Sequence, residues 1–155
     1  NVISDGDPLE IYTDRDGSVI FKKYSLMGGL TEFAGQLCET LNRTTGRTAV
    51  ITDRDNTIAV AGAPRRELLD KQISPDLERL MEGRQIYQHK AGEDGIPLCA
   101  DEGRFFLDIV APILSEGDVL GSVVFAAPEE ELGGGEVEYK LAQSIAAFLG
   151  KHMES

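Results

Sequence analysis

Two hydrophobic periods alternate along the chain. Near its start, residues 9–13 and 18–23 read as strands: Leu9 and Ile11 share one face and Tyr12 takes the other, while Val19 and Phe21 alternate with Ile20. The turn Asp14-Arg15-Asp16-Gly17 joins them into a hairpin, since an aspartate side chain can bond the backbone two residues on and glycine accepts a left-handed conformation. Apolar residues on both faces predict cover on two sides, and a lone two-stranded hairpin is marginal in water. Ser25-Leu26-Met27-Gly28-Gly29 then reads as a flexible joint. Beyond it the period lengthens to that of a helix over residues 30–43, with Leu30, Phe33, Ala34, Leu37, Cys38 and Leu41 on one stripe and Gly46 as the stop.

Strands are predicted over 47–52 and 57–61, joined by the turn Asp53-Arg54-Asp55-Asn56. Pro64 opens a short helix over 65–70. Ser74 caps the next, whose apolar face is Leu77, Leu80 and Met81 and whose end is Gly83. Residues 85–89 alternate like an edge strand, and 91–104, with four glycines or prolines and four acids, read as a long loop. A strand over 105–113, interrupted near Pro112, turns at Glu116-Gly117-Asp118 into the apolar strand 119–127. After Gly133-Gly134-Gly135 a last helix spans 136–153, with the stripe Val137, Leu141, Ala142, Ile145, Phe148 and Leu149. This order predicts an α+β fold, an antiparallel sheet flanked by helices.

Composition narrows the function classes. The chain is long enough for one ordinary core and holds no apolar run of the ~18 residues that a bilayer span requires. It opens on Asn1, so it is expected to be a piece of a longer protein. Cys38 and Cys99 are too few for a disulfide scaffold, which points to a reducing cytoplasm. Net charge is −12; residues 1–25 carry three basic and five acidic side chains, −2, leaving −10 for residues 26–155. So acidic a body repels phosphate, and any nucleic-acid contact must come from another segment.

Gly6-Asp7, Leu9-Glu10-Ile11, Asp16-Gly17 and Val19-Ile20-Phe21-Lys22-Lys23-Tyr24 resemble the second half of an AbrB-type DNA-binding domain. The element order from Leu30 onward resembles a GAF domain, a small-molecule-sensing α+β fold. Asp53-Arg54-Asp55, Ile58-Ala59-Val60, residues 119–124 and Gly135-Glu136-Val137-Glu138 extend the likeness over essentially the whole chain, and the combination resembles a family of sporulation transcription factors. The resemblance implies an incomplete AbrB-type half-domain over residues 1–25 and a GAF-like regulatory or dimerisation domain over 26–155. It implies a cytoplasmic, non-enzymatic regulator of forespore genes, an activator or a repressor, with swapped hairpins closing a DNA-binding barrel. In that family the principal DNA-contacting residues precede the stretch seen here.

Against this background Arg15, Lys22 and Lys23 are candidate phosphate contacts, or solvated strand ends. A ligand pocket is expected between the sheet and segments 62–73 and 91–104, lined by Thr52, Ile58, Asp108, Val110 and Phe125, with 91–104 as a lid. The alternative is a filled core with no ligand. Asp108, a carboxylate within an apolar strand, could equally turn to solvent. The pocket's ligand is an unidentified small molecule; no cofactor, metal or catalytic residue is expected. Cys99 beside Asp101 and Glu102 lacks the electropositive setting of a nucleophilic thiol, and no CxxC or HxxxH spacing marks a metal. A GAF-fold methionine sulfoxide reductase and a stand-alone sensor are the alternative functions. The glycine triplet lacks the Gly-Lys-Ser/Thr ending of a phosphate loop and reads as a hinge. Helices 30–43 and 136–153, paired with their copies, would form a four-helix bundle in a homodimer or homotetramer, or else each would pack only on its own sheet.

Overall fold

The computed structural model describes the backbone of residues 15–154 and the side chains of residues 30–154. The expected strand 9–13 lies outside the described residues. The chain divides into two compact units, Asn1–Phe33 and Ala34–Ser155. In the first, the described residues are helical: α1 (Arg15–Thr45) begins there and continues into the second. The strand expected over 18–23 is therefore corrected to helix, and the joint at Ser25–Gly29 lies inside the same helix. A strand needs neighbours to satisfy its backbone, whereas a helix closes its own hydrogen bonds within the segment. Gly28 and Gly29 cost the helix only about 1 kcal/mol each relative to alanine.

The second unit is a five-stranded antiparallel sheet in the order β2-β1-β5-β4-β3. Its strands are β1 (Thr48–Thr52), β2 (Thr57–Ala61), β3 (Tyr87–Gln88), β4 (Phe106–Ser115) and β5 (Asp118–Ala127). Turn chemistry sets the registers. Asp53 accepts from the backbone N–H groups of Asp55 and Asn56, both at 2.7 Å, which tightens the β1–β2 hairpin. Glu116 and Gly117, at φ 52° and 86°, make the two-residue β4–β5 turn with the twist a hairpin favours. β4 runs on through Pro112, beyond Ile109 and Val110 where the two-residue β3 pairs with it, so the missing proline donor is tolerated there.

Both faces of the sheet are covered. On one, Val50, Val60, Val110 and Val124 pack with Leu68 of α2 (Arg65–Leu68), with Leu77 and Met81 of α3 (Pro75–Glu82), and with Leu98 and Phe105. α3 starts as expected, with Ser74 Oγ accepting from Leu77 N–H at 3.1 Å. The opposite face meets α4 (Glu136–His152) through the small residues Ala142, Ala146 and Gly150 together with Leu149. A Cβ on Gly150 would lie 2.0 Å from the Leu114 carbonyl oxygen, so the helix rests directly on the β4 backbone. That close seat corrects the expected α4 stripe. Ala142 and Leu149 are buried, Leu141 and Ile145 are half-buried, and Val137 (63% exposed) and Phe148 (48% exposed) point away from the sheet.

Candidate functional site

A cavity of about 490 Å³ opens between α2 and the turn that precedes β4, within the size range of small-molecule sites. It lies between segments 62–73 and 91–104, whereas the pocket was expected between those segments and the sheet. One wall is fixed by buried Thr57. Its backbone N–H donates to the Lys71 carbonyl at 2.9 Å, its hydroxyl donates to the Leu68 carbonyl, and Lys71 N–H donates back to that hydroxyl at 3.0 Å. Asp70, at φ 58°, reverses the chain between these contacts and ends α2 short of the expected residue 70.

The other wall is the second half of the long loop, which is no lid. Leu98 and Cys99 are buried, and residues 96–100 are bonded on both sides. Ser74 N–H donates to Leu98 O (2.9 Å), Leu98 N–H to Phe105 O (3.1 Å) and Ala100 N–H to Gln72 O (2.9 Å). A segment held by backbone pairing and buried apolar side chains opens only at the cost of both.

The lining is charged. Arg104 holds Glu67 through two contacts, Nε to Oε2 at 2.7 Å and Nη2 to Oε1 at 3.1 Å, and its guanidinium lies 4.6 Å over the Phe105 ring. Arg66 and Lys71 also line the cavity, and neither side chain has a carboxylate within salt-bridge reach among the described residues. With Arg66, Lys71 and Arg104 against Glu67 and Asp101, the lining sums to 3 − 2 = +1, in a chain of net charge −12. Pro64, Leu68 and Phe105 supply its apolar surface.

Cys99 also lines this cavity; burial, then the Asp101 carboxylate, push its thiol up to about 11, against a lowering pull from Lys71. Cys38 is pushed up to about 12, chiefly by burial. Thiolate is the nucleophilic form, so neither residue is poised for thiol chemistry at neutral pH. Among the described residues no group of three or more His, Cys, Asp or Glu side chains is placed to hold a metal ion. Among the same residues no helix is long and apolar enough to cross a membrane.

None of the five residues named as pocket candidates lines this cavity. Thr52 is buried on the α3 side of the sheet, its hydroxyl 2.8 Å from that of Ser122 and 3.9 Å from the Met81 sulfur. Val110 is core on that same face, Ile58 is half-buried, and Phe125 is buried with its side chain alternating to the α4 side. Asp108 is buried in a bulge, where the β4–β5 register skips from Leu107 to Ile109. Its Oδ1 accepts from Gly133 N–H at 3.1 Å, and its Oδ2 accepts from Gly134 N–H at 2.9 Å and from Arg47 Nη1 at 3.1 Å. Arg47 Nε lies 3.3 Å from Glu138 Oε2, and Glu138 Oε1 accepts from Gly135 N–H at 2.9 Å. The glycine segment is thus pinned by the chain's own carboxylate, where a hinge was expected. Arg15, Lys22 and Lys23 fall in α1 among residues whose side chains lie outside those described. The cations of the cavity were missed, although Arg66, Lys71 and Arg104 all lie within the two segments expected to bound it.

Residues 29–154 match the family described as "Stage V sporulation protein T C-terminal, transcription factor". The chain is 39% identical to stage V sporulation protein T of Bacillus subtilis (strain 168) over 153 residues, covering 98% of this chain and 84% of that protein. Among solved structures, the GAF domain of an Acinetobacter phosphoenolpyruvate-protein phosphotransferase superposes with a TM-score of 0.60 at 11% identity, over 79% of this chain and 80% of that one. A type II free methionine-R-sulfoxide reductase from Thermoplasma acidophilum superposes with a TM-score of 0.58 at 13% identity, over 79% of this chain and 93% of that one. Likenesses at such identities show a shared fold alone.

Proposed function

The chain belongs to the stage V sporulation protein T family of transcription factors, and on that premise we propose that it regulates sporulation genes in the cytoplasm by binding DNA through its N-terminal segment, under control of its GAF-fold body. The observation that carries this reading is the 39% identity running over 98% of the chain, which takes in the stretch before residue 29 as well as the GAF-fold body. Residues 26–155 carry −10, and although residues 1–25 are themselves −2, they hold Arg15 and the adjacent pair Lys22 and Lys23 as phosphate contacts. Self-association through α4 fits the exposed Val137 and Phe148 with half-buried Leu141 and Ile145 beside them, and two linked DNA-binding segments gain affinity by avidity. An enzymatic reading has less support, because both thiols are held protonated.

Fluorescence anisotropy of the full-length protein on promoter fragments of sporulation genes tests the proposal. Binding is expected to weaken steeply with salt, and Lys22→Gln with Lys23→Gln is expected to lower the salt slope by about 1 for each lysine that neutralises a phosphate. No binding at about 50 mM salt, where phosphate contacts are strong, would refute it.

A further inference from the structure

We propose that the cavity between α2 and the turn before β4 is a receptor for a small organic anion, a carboxylate or phosphate head on an apolar body. The inference rests on the reading of the GAF-fold body as a sensor and names the chemistry that it senses. Basic side chains number 15 against 27 acidic ones in this chain, yet among the described residues several cations have no carboxylate within salt-bridge reach. Arg66 and Lys71 are two such cations lining one cavity. An anionic head would satisfy both.

Arg104 plays a different part. It is engaged by both carboxylate oxygens of Glu67 and laid over the Phe105 ring, so its charge is already partnered although the side chain is 57% exposed. It lines the cavity floor beside the two available cations. Pro64, Leu68 and Phe105 give the apolar body of a ligand somewhere to lie. Asp101, the remaining lining carboxylate, disfavours a head of high charge and selects a monoanion or dianion over a polyphosphate. The floor is also wired into the fold. Lys71 is tied to β2 through Thr57, and the Arg104 turn leads directly into β4, so an anion drawing the two walls together would pull on two strands of the sheet.

Amide chemical shifts of the protein titrated with phenyl phosphate, benzoate and benzyl alcohol decide the matter. The two anions are expected to move resonances of residues 66–71 and 99–105, and benzyl alcohol to bind at least tenfold more weakly. Arg66→Gln and Lys71→Gln are each expected to weaken phenyl phosphate about tenfold, the scale of a single charge-assisted hydrogen bond. Glu67→Gln, which releases Arg104, is expected to tighten it several-fold, an effect that no merely structural role for Glu67 produces. Arg79→Gln, remote from the cavity, serves as the control and is expected to change nothing. Equal binding of benzyl alcohol and phenyl phosphate, or unchanged affinity in Arg66→Gln and Lys71→Gln, would overturn the anion assignment while leaving the sensor reading intact. No response to any of the three probes would also overturn it, with the DNA-binding reading still judged by its own anisotropy assay.

Discussion

Replacing Asp108 by asparagine tests how the two sides of the sheet are held together. The carboxylate, with its side chain 1% exposed, accepts three hydrogen bonds: two from the backbone of Gly133 and Gly134 and one from Arg47. Asparagine keeps the shape but offers only one oxygen, so its amide nitrogen must face at least one N–H donor. A buried donor left unsatisfied costs about 1–3 kcal/mol, and a hydrogen bond to a charged group contributes about 1.5–3 kcal/mol. The Arg47 share is discounted, because Arg47 is 29% exposed and keeps Glu138 at 3.3 Å. The net expectation is a loss of about 3 kcal/mol, or roughly 10 °C in Tm for a domain of this size. Urea unfolding followed by circular dichroism measures it, with the m-value checking that the native state stays compact. A loss below about 1 kcal/mol at unchanged m-value would refute the reasoning, since it would mean that the glycine segment re-forms its bonds without the carboxylate.

Gly150→Ala should destabilise although alanine favours a helix by about 1 kcal/mol, because the added methyl meets the Leu114 carbonyl oxygen at 2.0 Å; a calorimetric Tm that rose instead would place α4 further from β4. The two thiols should resist an aromatic disulfide reagent at pH 8 in the native protein and react together once urea unfolds it. Their raised values, about 12 for Cys38 and about 11 for Cys99, mean that the folded state binds more protons than the unfolded one above an ordinary thiol value near 9.0. Stability is therefore expected to fall as pH rises from about 9 toward about 11, and Cys38→Ala should flatten that decline in a pH series of urea midpoints.

The GAF-like body was legible from its sequence because its signals are local. The Asp53 turn, the Ser74 cap, the break at Gly46 and the apolar run over 119–127 each fix structure within a few residues, and each stands where it was expected. What escaped was what depends on distant partners. Asp108 looks the same in sequence whether it faces solvent or a core, and only the bulge and the arrival of Gly133 and Gly134 decide its side. The cavity cations escaped for a related reason: Arg66 and Arg104 read as surface charge until Arg104 finds Glu67, 37 residues away, and Arg66 does not. The α4 stripe went partly astray because Ala142, Ala146 and Gly150, whose smallness brings the helix in close, make the contact together with Leu149, while Val137 and Phe148 turn outward. In α1 the alternation of Val19 to Phe21 suits a strand only if other strands supply the pairing.

The position of β5 in the sheet has a consequence for how the protein is made. β1 pairs with β2 within one hairpin, yet its other edge is completed only by β5, with Ser122 lying 70 positions beyond Thr52. A chain emerging from the ribosome at about 5–20 residues per second therefore carries the apolar run Ala49-Val50-Ile51 on an open strand edge for several seconds before its neighbour exists. Sheets whose centre is supplied last fold slowly, since a long loop must close before the contact rewards it. During that interval the β1 edge is the part of the nascent chain most exposed to pairing with another copy, and expression that outpaces folding should lead to aggregation through it.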